Sequence, residues 1–259
     1  MTQPVSVKTE TEWFRSWFDS PYYPILYQNR NVTDAEQMVA ALIPILEPHL
    51  LGFPKPYKAL DVACGRGRYA RLLHRYGFEV EAIDLSPCAI KTAQEYATEG
   101  LTFSVGDMRK LSYRNTFHLV ANFFTSFGYF DRQETNREVL ARFHQALKPA
   151  GLLLLDYFNA DYIIDRLIPQ ETITRSGIDF HINRTIEDGH LVKTIQFDAD
   201  GDTHHFEEKV QLFFPKDFDE MLLCTGFETV ERLGWKDQEC VPFSNQSERL
   251  ILIAKKEVM

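Results

Sequence analysis

Apolar positions along this chain fall into short runs closed by acids, glycines or prolines. Residues 59–62 are apolar except for Asp61 and lead into Ala63, Cys64, Gly65, Arg66 and Gly67. Residues 78–83, 101–105 and 117–121 repeat the pattern of a short apolar run with a turn signal at its end. Runs of that length, bounded in that way, predict strands. Between them the spacing turns helical. One helix follows the glycine turn toward Gly77, and a second is opened by Ser86 and Pro87 and closed by Gly100; a cap residue, a proline at the first helical position and a terminal glycine are the expected punctuation. The alternation is βαβαβ, and right-handed crossovers put a ligand at the carboxyl edge of such a sheet.

Farther along, Asp131 to Glu134 read as the cap of a helix reaching Leu147, residues 148–151 as a turn, and residues 152–157 as a central strand whose aliphatic run suits burial on both faces. From Glu171 the period changes to two. Residues 178–186 and 191–197 alternate around Asp188 and Gly189, and 204–214 supply a third strand after Asp200 and Gly201. A helix over 215–225, stopped by Gly226, and strands over 227–235 and 249–255 close the chain. At the other end, Trp13, Phe14, Trp17 and Phe18 are aromatic at helical spacing and predict a lid helix on the core. Thr33 to Glu36 form a capping box for a helix through about Glu47, with Pro44 kinking or ending it. The expected organisation is therefore a helical lid over 1–56, an α/β domain over 57–170 and 215–259, and an antiparallel insertion over 171–214 that covers the functional edge, contributes to a homodimer, or does both.

Composition narrows the function classes. The formal net charge of −9 offers no general attraction to phosphate backbones, so nucleic acid is a poor first partner. The N-terminus shows no basic start followed by an apolar run, and the longest aliphatic stretch, 152–155, is too short for a bilayer, so a cytoplasmic protein without membrane attachment is expected. Cys64, Cys88, Cys224 and Cys240 form no CxxC pair and read as reduced thiols. Four of the eight histidines, His181, His190, His204 and His205, lie in the insertion at spacings that match no metal-ligand pattern, so no metal is expected. Neighbours on a strand point to opposite faces, which leaves at most one of His204 and His205 to face a pocket, where it could accept a proton; His204 is the candidate.

The chemistry centres on the glycine turn. Two glycines one residue apart let the main chain bend and let a ligand approach it without meeting a Cβ, while the following helix offers unpaired N–H groups. Gly65-x-Gly67-x-x-Ala70 also fits a dinucleotide fingerprint, with Asp84 near the expected spacing of about 20 residues. Asp61 argues otherwise, since a carboxylate beside the loop repels a pyrophosphate but suits a ligand carrying an ammonium and a sulfonium. Asp61, Asp84 and Asp107 also recur every 23 residues, the length of one βα unit, which sets them along one sheet edge.

With Asp84-Leu85-Ser86 and Asp107-Met108-Arg109, this combination resembles the class I S-adenosylmethionine-dependent methyltransferases, from about Tyr22 to the last strand. The resemblance implies a Rossmann-like fold, a seven-stranded, mostly parallel sheet with helices on both faces, here with the antiparallel insertion added, and S-adenosylmethionine as cofactor. It further implies that Asp61, Ala63, Cys64, Gly65 and Gly67 wrap the methionine part, that Asp84, followed by Leu85, holds the ribose hydroxyls, and that Asp107 and the Met108 backbone meet the adenine. Ala63-Cys64 stands where many members have a third glycine, which makes the loop bulkier. In the small-molecule members, N-terminal aromatic and basic residues cover the cofactor; Tyr22, Tyr27 and Arg30 match that place.

The run Phe124-Thr125-Ser126-Phe127-Gly128 resembles a loop of the sugar-amine N-methyltransferases and, less closely, of the glycine N-methyltransferases. That likeness assigns Asn122 and Phe123 to the cofactor, and Ser126 and Tyr129 to the acceptor, Tyr129 with a catalytic part. Asp156 and Asn159, at the end of the central strand, are further acceptor candidates. The implied function is methyl transfer to a small-molecule acceptor, an amine before a hydroxyl because no unmistakable base is visible. An NAD(P)-dependent oxidoreductase on the same turn and a non-catalytic S-adenosylmethionine-binding protein are the alternatives of other classes.

Overall fold

The computed structural model describes residues 12–28 and 32–257. The chain opens with two short helices, α1 (Trp13–Phe18) and α2 (Tyr23–Leu26), and the long α3 (Val32–Leu50). Then come β1 (Lys58–Val62), α4 (Arg68–Arg75), β2 (Glu79–Asp84), α5 (Pro87–Ala93), β3 (Leu101–Val105), β4 (Phe117–Asn122), α6 (Gln133–Ala146), β5 (Leu147–Phe158) and α7 (Ala160–Asp165). Four consecutive strands follow: β6 (Gln170–Arg175), β7 (Ile178–Glu187), β8 (His190–Ala199) and β9 (Asp202–Gln211). The chain ends with α8 (Pro215–Cys224), β10 (Phe227–Lys236), β11 (Glu239–Pro242) and β12 (Arg249–Lys256).

The large sheet runs β3-β2-β1-β4-β5-β12-β10-β11. β1 to β5 are mutually parallel, whereas β12, β10 and β11 join in antiparallel fashion. The strand order reverses between β1 and β4, where Asp61 lies opposite Ala82 on one side and Ala121 on the other. That crevice is the topological switch point at which open α/β sheets bind ligands.

The strands are apolar on both faces because both faces are covered. Ala59, Ala82, Leu119, Ala121, Leu152 and Leu154 pack with α3, α4 and α5. Leu60, Val120, Leu153, Leu155 and Leu252 pack on the other face with α6 and α8. Fully burying one aliphatic side chain of this kind stabilises the fold by roughly 1.5–3 kcal/mol, so these layers dominate the balance. The second sheet, in order β6-β7-β8-β9, is antiparallel throughout and buries Phe180, Ile182, Ile195 and Phe197 against Trp17 of α1 and Leu26 of α2. Among the described residues no helix is long and apolar enough to cross a membrane.

Several local expectations change. α3 continues through Pro44 and Pro48 to Leu50, because Ala35, Met38, Val39, Leu42, Leu46 and Leu50 form one buried stripe whose packing outweighs the lost backbone bonds. Thr33 lies inside that helix rather than capping it. Asp131 does not cap α6, whose N-cap is Arg132 without a side-chain bond. The large sheet carries an eighth strand, β11, folded back on β10 as a hairpin, and the second sheet gains β6, so that it spans 170–211. The expected turn at 148–151 is the start of β5, with Ala150 in the left-handed region.

Candidate active site

The turn after β1 is built from left-handed backbone: Ala63, Gly65 and Gly67 have φ of 59°, 56° and 77°. Its shape is pinned to β2, since Cys64 N–H donates to Ile83 O at 2.9 Å and Gly65 N–H to Asp84 Oδ2 at 2.8 Å. The other oxygen of Asp84 accepts from Ser86 N–H at 2.8 Å. Burial raises the Asp84 carboxyl, and the Ser86, Gly65 and Leu85 backbone N–H groups work against that rise. The two glycines serve different ends. A Cβ on Gly65 would meet nothing within 4 Å and would project into open space, whereas one on Gly67 would lie 2.5 Å from the Phe103 ring. Gly67 is therefore a packing glycine that lets the turn close on β3, and it does not line the cavity described next.

Beside this turn opens a cavity of about 990 Å³. Asp61, Ala63, Cys64, Gly65, Asp84, Leu85, Asp107, Met108 and Phe123 line its sheet edge; Ser126 and Tyr129 line it from the loop after β4, and Tyr27 from α2's end. Asp61 is 1% exposed, and its Oδ2 has no hydrogen-bond partner among the described residues. Burial, then the nearby charge of Asp84, push its carboxyl up to about 8. Asp107 behaves oppositely. Burial would raise it, but Arg109 grips both oxygens, at 3.0 and 2.7 Å, and holds it below the ordinary carboxylate range.

The loop after β4 is held by residues that the sequence suggested for ligand contact. Asn122 is buried and does not line the cavity; its Nδ2 donates to Val62 O at 2.9 Å and Ser126 O at 3.2 Å, tying β1 to the loop. Phe123 stacks on Tyr69 with ring centroids 4.1 Å apart. Phe124 and Thr125 both have left-handed backbone, φ 60° and 58°, an arrangement that persists only where the surroundings impose it. Asp156 imposes it: its Oδ2 accepts from Phe124 N–H at 2.9 Å and its backbone oxygen from Thr125 N–H at 2.8 Å, while Arg249 pairs with the same carboxylate. Asp156 is thus a clamp on the loop and lies behind the cavity wall. Asn159 is likewise structural, capping α7 and donating to Ser244 O and Ser247 O at 3.1 and 2.8 Å.

The roof comes from the N-terminal segment. Trp13, Phe14 and Phe18 surround Tyr129, with centroid distances of 5.1, 6.1 and 5.6 Å. Glu12 pairs with Arg109 at 2.7 Å, and Asp19 accepts from Ser86 Oγ at 2.7 Å and Cys88 N–H at 3.0 Å, so the roof is tied to the β2 and β3 ends of the sheet. Two expected residues sit elsewhere. Tyr22 bonds Asp200 at 2.6 Å and packs on Phe197 and His204, away from the cavity. His204 faces the second sheet's apolar layer, stacked on Phe197 with its Nε2 against Ala199 O, and is not placed to act on a ligand there. Arg30 lies outside the described residues. The sequence reading missed Trp13, Phe14, Tyr23 and Glu208, all of which line the cavity. For Glu208 a signal existed: an acid on the inward face of a strand, between Phe206 and Val210.

Residues 59–151 match the family model described as a methyltransferase domain. That segment contains the glycine turn, the three spaced acids and the loop after β4. The chain carries an S-adenosylmethionine-dependent methyltransferase domain. Among curated proteins, the methyltransferase is 29% identical over 214 residues to YqeM of Bacillus subtilis (strain 168), covering 78% of this chain and 85% of that one. It is 33% identical over 113 residues to the glycine/sarcosine N-methyltransferase of Aphanothece halophytica, covering 42% and 43%. Its fold is shared by solved structures, two of which illustrate it. One is an S-adenosylmethionine-dependent methyltransferase from Clostridium acetobutylicum ATCC 824, with TM-score 0.75, 15% identity and coverage of 92% and 96%. The other is the S-adenosylmethionine-bound amino pentose methyltransferase CalS10 from Micromonospora echinaspora, with TM-score 0.67, 20% identity and coverage of 92% and 97%. The cavity of this methyltransferase fits such a cofactor on its own terms: a buried carboxylate oxygen lacks a partner at Asp61, and the space in front of Gly65 is one a Cβ would fill.

Proposed function

We propose that this methyltransferase transfers a methyl group to a small-molecule amine. The carrying observation is the make-up of the cavity wall, where carboxyl groups (Asp19, Asp61, Asp84, Glu95, Asp107 and Glu208) outnumber cations (Arg66, Arg68 and Lys91), with Asp61 poised to ionise when a cation binds beside it. A wall of that balance favours a cationic cofactor and an acceptor that carries or develops positive charge, and disfavours polyanions. Enclosure under the N-terminal helices supports a small acceptor, and the amine relatives agree with it: the Aphanothece enzyme is named for glycine and sarcosine, and CalS10 for an amino pentose.

In this reading Asp61 takes the ammonium of the cofactor's methionine part, the backbone in front of Gly65 accommodates that part closely, Asp84 faces the ribose, and Asp107 with Met108 borders the adenine. The bound cofactor supplies an electrophilic methyl on a sulfonium. The protein's task is to hold an amine lone pair in line with it and to keep water out, which is a positioning task rather than one that needs a strong base. Ser126 and Tyr129 form the acceptor side, together with Tyr27, which the family likeness set over the cofactor but whose hydroxyl bonds Glu208 of the second sheet. Residues 12–28 act as the lid and the second sheet as the acceptor cover.

The test is methyl transfer from S-adenosylmethionine to a panel of small amines, amino sugars and amino acids, each paired with its hydroxyl analogue and run beside ribosomal RNA. Transfer to members of the amine set and not to their hydroxyl partners is expected. Transfer only to hydroxyls, or only to RNA, contradicts the proposal.

A further inference from the structure

The inward face of β9 runs Phe206, Glu208, Val210, so a carboxylate interrupts an apolar stripe. Its side chain is only 16% exposed. Removing an ionised carboxylate from water is costly, and such groups are kept where they are paired or put to use. One oxygen, Oε1, accepts from Trp17 Nε1–H at 2.7 Å and from Tyr27 Oη–H at 2.5 Å, which fixes the carboxylate between the lid and the second sheet. Lys193 Nζ lies 3.6 Å from Oε2, donates to the Tyr27 hydroxyl, and stands 4.6 Å from the Tyr27 ring.

The cluster is asymmetric. Glu208 and Tyr27 reach the cavity, with Leu191 and Val210 beside them, whereas Lys193 does not line it. On the wall contributed by the second sheet, Glu208 is thus the charged side chain that reaches the cavity, among the described residues, with Lys193 behind it as its ion-pair partner. From Tyr27 an aromatic row runs along the same cavity, Tyr23 packing on Tyr27, Phe18 on Tyr23 and Tyr129 on Phe18. A carboxylate framed by aromatic faces binds an ammonium twice over, by charge and by cation–π attraction.

We infer that Glu208, held by Trp17 and Tyr27, is the recognition group for the acceptor's nitrogen in the cationic form in which it arrives, that this nitrogen gives up its proton to solvent before its lone pair attacks the methyl, and that the subsite takes alkylated amines and rejects uncharged isosteres of the same shape that cannot be protonated. The inference rests on the methyl-transfer reading above and deepens it by naming the acceptor's charge and the residue that reads it. Asp61 belongs to the sheet edge and is matched to the cofactor, so the two carboxylates divide two cations between opposite sources of the wall, strand end and cover.

The test uses the full chain loaded with S-adenosylhomocysteine and titrated, at fixed ionic strength, with choline and with its uncharged isostere 3,3-dimethyl-1-butanol, read by calorimetry and by tryptophan fluorescence. Wild type should bind choline at least about tenfold more tightly than the alcohol, a difference of one ion contact. Glu208→Gln keeps an oxygen for Trp17 and Tyr27 but removes the charge, and should lose about tenfold in choline affinity with S-adenosylhomocysteine affinity unchanged. If that variant does not fold, Tyr27→Phe, which removes one donor from Glu208, should weaken choline by a smaller factor of about two to five. Equal choline affinity in wild type and variant, or equal binding of choline and the alcohol, overturns the inference. Failure of S-adenosylhomocysteine to bind wild type overturns instead the cofactor reading beneath it.

Discussion

Asp61 concentrates the chemistry at the scale of a residue. Its carboxyl is raised from 3.8 to about 8, so between those values the folded chain holds a proton that the unfolded chain has released. Stability therefore falls as pH rises through that window. Asp61→Asn removes the loss: its melting temperature should exceed that of ligand-free wild type by a margin that widens from about pH 5 to about pH 9. The same variant should lose most S-adenosylhomocysteine binding, while wild-type affinity rises toward pH 8 as the carboxylate ionises. A constant margin across pH contradicts the assignment. The two glycines give a steric contrast. Gly67→Ala drives a Cβ to 2.5 Å from Phe103 and should cost about 2–4 kcal/mol in a urea titration, with Phe103→Leu restoring part of it. Gly65→Ala meets no atom, so its stability cost is confined to the backbone, about 1 kcal/mol, and its main effect is on cofactor affinity. Tyr129→Phe should leave S-adenosylhomocysteine affinity intact and lower turnover about tenfold if its hydroxyl serves the acceptor; equal loss of both places Tyr129 at the cofactor.

Among the elements, the loop after β4 is the one whose geometry is least local. Phe124 and Thr125 adopt left-handed backbone because Asp156 on β5 and Arg249 on β12 hold them there. Arg249→Met strands a buried carboxylate, and a loss of about 3–5 kcal/mol in chemical denaturation is expected, with cofactor affinity falling as Phe123 and Phe124 shift. A change below about 1 kcal/mol would show that the loop holds itself. This explains why the sequence reading misassigned Asn122, Asp156 and Asn159. Polar residues at strand ends can face a ligand or satisfy backbone, and the choice depends on partners 60, 32 and 88 residues away. Asp61, Asp84 and Asp107 were legible because a 23-residue period fixes which strand end each occupies, a pattern independent of distant contacts. His204 failed for a simpler reason: alternation limits which of two neighbours faces inward, and the inward face at that point is the apolar layer over Phe197 rather than the cavity.

On the scale of the whole molecule, the sheet order, the switch point and the covering second sheet converge on one acid-rich cavity of about 990 Å³. The βα rhythm and the mostly parallel sheet were readable from run lengths and glycines, because each βα unit is stabilised by its own neighbours. The roof was readable only in part. Aromatic periodicity announced α1, but its docking depends on Trp17 reaching Glu208 and on Glu12 reaching Arg109, across 191 and 97 residues of chain. The central claim is that this cavity is built for a sulfonium nucleoside and not for a dinucleotide. It is tested most directly by calorimetric titration of the wild-type protein with S-adenosylhomocysteine, with NADH as the paired control. Saturable micromolar binding of S-adenosylhomocysteine and none of NADH is the expected result; binding of NADH alone would contradict it.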